Sequence, residues 1–161
     1  MRKLKIYLDT SVISHLYAPD TPDKMKDTVE LWEDIKSGLY EVITSDVALK
    51  EIENCKEPKL SMLLDYLSEI EYERFPVTDE AENLADEIIK HSILTQKSRD
   101  DCLHIAIAVI NNCDIILSWN FNHMVNVKTI NGVRAVNILN GYRPIDIYSP
   151  TILIRGDDIN E

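Results

Sequence analysis

Glycine and proline are scarce, at 4 and 6 in 161 residues. Linkers and disordered tracts are usually rich in one or both, so neither is expected here. Cysteine is scarcer still. Cys55, Cys102 and Cys113 are odd in number and show no CxxC spacing, which argues against a disulfide scaffold or a thiolate zinc site and for a reducing cytoplasm. No apolar run approaches the ~20 residues that span a bilayer, so no membrane association is expected. The opening MRKLKIYLD meets an acid at Asp9 before an apolar stretch forms, and it is not read as a secretory signal. Basic residues are also few: 17 Lys and Arg stand against 28 Asp and Glu, for a net charge of −11. A broad basic face for nucleic acid is thereby disfavoured. Most of the excess acid reads as ordinary solvated surface. A carboxylate cluster around a divalent cation, or a basic protein partner, would use some of the rest.

What remains is an ordinary globular composition, 45% hydrophobic and 28% charged, in a length that suits one domain with a full core. Residues 1–150 are expected to form that domain and 151–161 a short tail. Strands are expected at Lys5 to Leu8, Tyr40 to Thr44, Tyr72 to Phe75, Asp114 to Ser118 and Ile145 to Tyr148. Helices are expected between them. One starts at Thr21-Pro22 and carries Met25, Val29, Trp32 and Ile35 on one face, with Gly38 to end it. A short one, capped by Ser45 or Asp46, carries Glu51. Another opens at Pro58 with Leu60, Leu63, Leu64 and Leu67. The next is capped by Thr78 or Asp79 and presents Ala81, Leu84, Ala85 and Ile88. Ser98 is expected to cap Arg99 to Asn112, in a capping box with Asp101. Val127 to Asn140 closes at Gly141. The alternation implies an α/β fold with a central parallel sheet flanked by helices in three layers. Such sheets bind ligands beyond the carboxyl ends of their strands. Asp9, Glu51, Asp101 and the segment Ser118 to Asn120 can all reach one such rim.

Hard cations take oxygen ligands and use few protein carboxylates, leaving room for water and phosphate. A cluster of acids from separate strand ends is therefore the pattern that metal-assisted phosphodiester chemistry needs. The segments LDTSVIS (Leu8 to Ser14), SDVALKEI (Ser45 to Ile52), DDCLHIAIA (Asp100 to Ala108) and ILSWNFNHM (Ile116 to Met124) resemble the four blocks of PIN domains, in order and at suitable separations. The closest resemblance is to single-domain VapC-like toxins of toxin–antitoxin pairs. That resemblance implies a Mg²⁺- or Mn²⁺-dependent endoribonuclease with Asp9, Glu51 and Asp101 as metal-binding acids. It implies Thr10, Ser11 and Ser118 as supporting polar residues, with Asn120 completing the site. It also implies an RNA substrate, a small basic-tailed antitoxin and a homodimer, for which the apolar helices around Met25 to Ile35 and Leu60 to Leu67 offer surfaces. Asn120 departs from the family, which often has an acid there. An amide adds no charge, so a second metal would be held less well.

Each residue also has a plainer role. Asp9 could be a cap after a strand, Glu51 part of a solvated face, and Asp101 a helix-start acid. Asp100 is adjacent and easily confused with it. His104, three residues after Asp101, is expected to be packed or hydrogen-bonded rather than a ligand. Trp119 could stack on a base or simply pack. Lys97 and Arg99 are candidates for phosphate contact. Two other functions compete. One is a PIN-fold interaction module with weak or no nuclease activity. The other is a phosphotransferase of the haloacid-dehalogenase type, disfavoured because Ser11 stands where that chemistry needs a second Asp.

Overall fold

The computed structural model describes residues 2–154. Five strands form one parallel sheet: β1 (Leu4–Leu8), β2 (Tyr40–Ser45), β3 (Glu73–Phe75), β4 (Ile115–Leu117) and β5 (Asp146–Tyr148). Their order is β3-β2-β1-β4-β5. The chain builds outward from β1 to one edge, then crosses back to β4 on the other side. The carboxyl end of β1 is thus the point where the winding reverses, the place where such sheets open a crevice.

Seven helices cover both faces: α1 (Thr10–Ser14), α2 (Pro22–Lys36), α3 (Asp46–Glu53), α4 (Lys59–Ser68), α5 (Asp79–Lys90), α6 (Arg99–Ile110) and α7 (Val127–Asn140). Successive strand residues point to opposite faces, and both faces are dry. Ile6, Leu8, Val42, Ile115 and Leu117 meet the buried sides of α1 to α4. Tyr7, Ile43, Ile116 and Ile147 meet α5, α6 and α7. Burial on two sides explains why Ile6 to Leu8 of β1 and all of β4 read as unbroken apolar runs instead of alternating ones. Asp114, at the foot of β4, ties the two central strands together. It accepts from the Lys5 N–H at 2.8 Å and pairs with Arg2 at 3.0 Å. The Arg2 guanidinium holds its carboxyl below the usual carboxylate range. The buried Cys102 and Cys113 carry free thiols that burial pushes up to about 12, so they behave as small apolar side chains.

Several helix ends differ from expectation. Ser45 and Thr78 cap α3 and α5 through their hydroxyls, as expected. Ser98 makes no cap bond. A 3-10 turn over Gln96–Ser98 runs directly into α6, so Ser98 never adopts the extended backbone from which a cap reaches back, and the expected capping box with Asp101 is absent. Thr21 likewise makes no cap bond; its hydroxyl donates to the Ala18 carbonyl, and Pro22 opens the helix with no N–H to satisfy. The helix α1 was not expected at all, because five residues are too few to show a period. Pro150–Ile152 form a 3-10 turn whose Thr151 hydroxyl donates to Asp27 at 2.8 Å, so the first residues of the expected tail are docked on α2. Residues 155–161 of that tail lie outside the described part. The apolar stripe of α2 is spent on its own core, with Leu31, Trp32 and Ile35 buried. Met25 and Val29 on the same helix remain partly exposed. On α4, Met62 and Leu64 remain exposed. Among the described residues no helix is long and apolar enough to cross a membrane.

Candidate active site: an acidic pocket at the strand ends

A pocket of about 310 Å³ opens where β1 ends, walled by Asp9, Thr10, Ser11, Glu51, Asp100, Asp101, His104 and Asn120, with Ser14 and His15 at its edge. A larger cleft, about 490 Å³, lies at the opposite ends of β1 to β3 beside Lys3, Tyr40 and Glu73, away from these acids.

Asp9 is 3% exposed. It follows the last residue of β1 and caps α1. Its Oδ1 accepts from the Val12 N–H at 3.1 Å and from the Ser11 hydroxyl at 2.6 Å. Burial raises its carboxyl above the ordinary range, against the lowering pull of His104, Ser11, Ser118 and the Val12 N–H. The cap role and the site role therefore coexist. Ser11 is the hinge of the arrangement. Besides Asp9 its Oγ accepts from the Trp119 N–H at 2.9 Å and lies 3.4 Å from Ser118 Oγ. Ser118 Oγ in turn accepts from the Asn120 N–H at 3.0 Å. Two strand ends are thus laced together by hydroxyls. Asn120 spends its side-chain oxygen on the His123 N–H at 2.9 Å.

Glu51 stands near the end of α3, half-exposed. Its carboxyl is held below the ordinary range chiefly by His104, whose Nε2 lies 3.5 Å from Oε1, with a further bond from Thr10. Asp101 enters from the first turn of α6, and its Oδ2 accepts from His123 Nδ1 at 3.0 Å. Asp100 also lines the pocket and is exposed. Asp9, Thr10, Ser11, Glu51, Asp101 and Asn120 therefore face one space, with Ser118 just behind. Lys97 and Arg99 do not join them. Lys97 is exposed outside the lining, and Arg99 pairs with Asp86 at 2.5 Å. Trp119 is buried, donating to Thr28 at 2.9 Å; it packs, and its ring is not open for stacking.

Apart from the His15 and His104 rings, the lining offers carboxylates, hydroxyls and one amide oxygen, the chemistry preferred by a hard cation such as Mg²⁺. Among the described residues, no Lys or Arg side chain lines the pocket to balance the acids. Among the described residues, however, no three His, Cys, Asp or Glu side chains are gathered closely enough to hold an ion by themselves. Each acid is turned to a neighbour instead: Asp9 to Ser11, Glu51 to His104, Asp101 to His123. The expected three-carboxylate grip is thus not formed as the side chains lie. The set fits an ion that keeps much of its water and meets the protein acids partly through it, as Mg²⁺ commonly does.

Sequence reading gave no place at the site to Tyr7, His15 or His123, and saw Ser45 only as a helix cap. Tyr7 is fully buried, with its hydroxyl 2.7 Å from Ser45 Oγ and 2.6 Å from His104 Nδ1. Its place in an apolar strand hid it. His123 comes round on the loop after β4, and no spacing rule links it to Asp101.

A doubly wound parallel sheet with an open, carboxylate-rich pocket at its reversal point defines the class of this protein. The chain belongs to the PIN domain family, whose family model matches residues 6–123. Among solved structures, it is similar to VapBC2 from Rickettsia felis bound to a DNA fragment from their promoter. The TM-score is 0.56 at 14% identity, covering 91% of this chain and 98% of that one. It is also similar to VapC20 of Mycobacterium tuberculosis, a sarcin–ricin loop cleaving toxin. There the TM-score is 0.57 at 19% identity, covering 73% of this chain and 92% of that one. At such identities the likeness is one of fold. No curated protein matches the chain significantly.

Proposed function

We propose that this chain is a divalent-metal-dependent endoribonuclease that works as a VapC-like toxin. The observation that carries this is the convergence of Asp9, Glu51 and Asp101 from three separate elements on one open pocket, in a chain of this family. A pocket whose described lining has four acids and no Lys or Arg repels phosphate. An RNA backbone can enter only if a cation offsets that charge. Asp9, Glu51 and Asp101 would hold Mg²⁺ or Mn²⁺, which when bound lowers the pKa of water and stabilises an oxyanion. Ser11 and Ser118 keep Asp9 in place, and Asn120 braces the loop beside it. RNA is preferred over DNA on the family likeness alone. Purified protein should cut single-stranded or loop RNA in Mg²⁺, lose cleavage in EDTA, and regain it on adding Mn²⁺. Cleavage that persists in EDTA would sink the metal requirement.

A second role, as an interaction module with little activity, is favoured by Asn120 and by the absence of a closed three-acid cage among the described residues. Failure to cut RNA with either cation would establish it. A toxin needs restraint, and an acidic pocket suits a basic inhibitor segment. An Arg or Lys from a small antitoxin would pair with Asp9 or Asp101 and exclude the cation. The chain would act as a cytoplasmic homodimer, with Met62 and Leu64 the exposed apolar residues on α4. Co-purification from the native host should bring down a small basic partner. Recovery of the chain alone, with no slowing of growth when it is expressed, removes the toxin role and leaves the nuclease one standing.

A further inference from the structure

Of the three histidines around the pocket, two face groups that can only accept. His15 Nδ1 lies 2.7 Å from the Ser11 carbonyl, and His123 Nδ1 lies 3.0 Å from the Asp101 carboxylate. Both must carry a proton on Nδ1. His104 is arranged differently. Its Nε2 faces Thr10 Oγ1 at 3.3 Å and the Glu51 carboxylate at 3.5 Å. A carboxylate cannot donate, so a bare lone pair on Nε2 would be repelled by it. Behind the ring, Nδ1 meets the Tyr7 hydroxyl, and that hydroxyl meets Ser45 Oγ.

Counting protons fixes the direction of this chain. Ser45 is fully buried, and its Oγ already accepts from the Ala48 N–H at 3.2 Å. The Ser45 hydroxyl proton then has one acceptor among its bonded neighbours in the described residues, the Tyr7 oxygen. If Tyr7 donated to Ser45 instead, the serine proton would be buried without a partner, which costs about 1–3 kcal/mol. With Ser45 donating to Tyr7, the tyrosine proton goes to His104 Nδ1. The only proton left to the neutral ring is then the one on Nε2. Burial keeps the Tyr7 phenol well above its ordinary range, so it stays a donor.

We infer that Ser45, Tyr7 and His104 form a one-way buried relay that fixes the His104 proton on Nε2, aims it at Glu51 and Thr10, and makes Tyr7 and His104 positioning residues for the Glu51 side chain. The relay has two consequences at the pocket. His104 presents an N–H there instead of a lone pair, so it supports a carboxylate and does not itself ligate a cation. Glu51, on a half-exposed helix end, is held against the wall by His104 together with Thr10. Only the catalytic use of this last consequence rests on the nuclease reading; the tautomer itself does not.

The test is a long-range proton–nitrogen spectrum of the metal-free, full-length protein with nitrogen-15-labelled histidine, near pH 8. The four histidines give four ring patterns, and His104→Gln identifies the one in question. The expected result is a proton on Nε2 for His104 and on Nδ1 for His15 and His123. A His104 proton on Nδ1, or on both nitrogens, overturns the relay. Tyr7→Phe keeps the ring and removes the donor. It should give mixed tautomers at His104 and lower kcat about 10-fold with KM little changed, the usual scale for an outer partner of a site residue. An unchanged kcat beside a wild-type Nε2 proton overturns the positioning role. Glu51→Gln keeps an acceptor facing Nε2 and should keep the tautomer while cleavage is lost. A wild-type protein that never cuts RNA overturns the nuclease reading, and the spectrum still decides the relay.

Discussion

Asp9→Asn should make the metal-free protein more stable and the enzyme inactive. The ionised carboxylate of Asp9 is 3% exposed, and burial raises its carboxyl above the ordinary 3.8. The folded state therefore keeps the Asp9 proton to a higher pH than the unfolded chain does. The stability this gives is present below 3.8 and is lost as pH rises through the folded value. At neutral pH the empty site holds an unfavourable charge, which Asn removes while still accepting from Val12 and Ser11 and still capping α1. The Tm of Asp9→Asn should exceed that of wild type at pH 7, each kcal/mol recovered being worth about 2–4 °C in a chain of this size. The gap should close as the pH falls toward 4. Saturating Mn²⁺ should reverse the order, because it binds the folded wild type and not the variant. Cleavage should fall by about 100-fold or more, since charge stabilisation by a metal is worth several kcal/mol and about 1.4 kcal/mol is tenfold in rate. Equal Mn²⁺ affinity in both proteins would remove Asp9 from the metal site.

Asp101→Asn should abolish cleavage with almost no change in Tm. Asp101 stands in the first turn of α6 with a partly exposed side chain, and its partner His123 can bond an amide oxygen as well as a carboxylate. The lost interaction between a surface carboxylate and histidine is worth at most about 1 kcal/mol. The lost charge, by contrast, faces the pocket, and the same loss of about 100-fold or more is expected there. Asp100 supplies the control, because it lines the same pocket but has no tether to His123. If Asp100→Asn is the dead variant and Asp101→Asn cuts RNA, the two acids have exchanged roles. His123→Ala should cost far less than either, since it frees a carboxylate without removing one.

The sheet was legible because its strands carry their signal locally. Lys5 to Leu8, Tyr40 to Thr44 and Asp114 to Ser118 are short, β-prone and bounded by polar residues, and each is a strand in the structure to within a residue or so at its ends. Helices long enough to show a period were equally clear. The short pieces were not. A five-residue helix after Asp9 and a 3-10 turn before Arg99 have no periodicity to read, and the second of these cancelled the cap assigned to Ser98. The candidate phosphate contacts lie outside the pocket lining for a related reason. Lys97 and Arg99 are near Asp101 in sequence, but the turn of α6 carries Arg99 toward Asp86 and away from the pocket.

By itself the sequence determined the layered α/β architecture, the reach of Asp9, Glu51 and Asp101 to one rim, and the shortage of positive charge. These follow from composition, from alternation and from the rule that strand ends converge, while the choice of those three acids rested mainly on the resemblance of four short segments to one family. The tertiary structure alone decided what each acid touches. Asp9 turns to Ser11, Glu51 to His104 and Asp101 to His123 through contacts between residues 2 to 53 positions apart. Only the fold decided that Tyr7, an apolar-strand residue to any pattern, lies within hydrogen-bonding distance of Ser45 and His104. Hydrogen bonds are made over about 3 Å and fixed by direction, and a linear pattern that places elements to within a turn cannot resolve either.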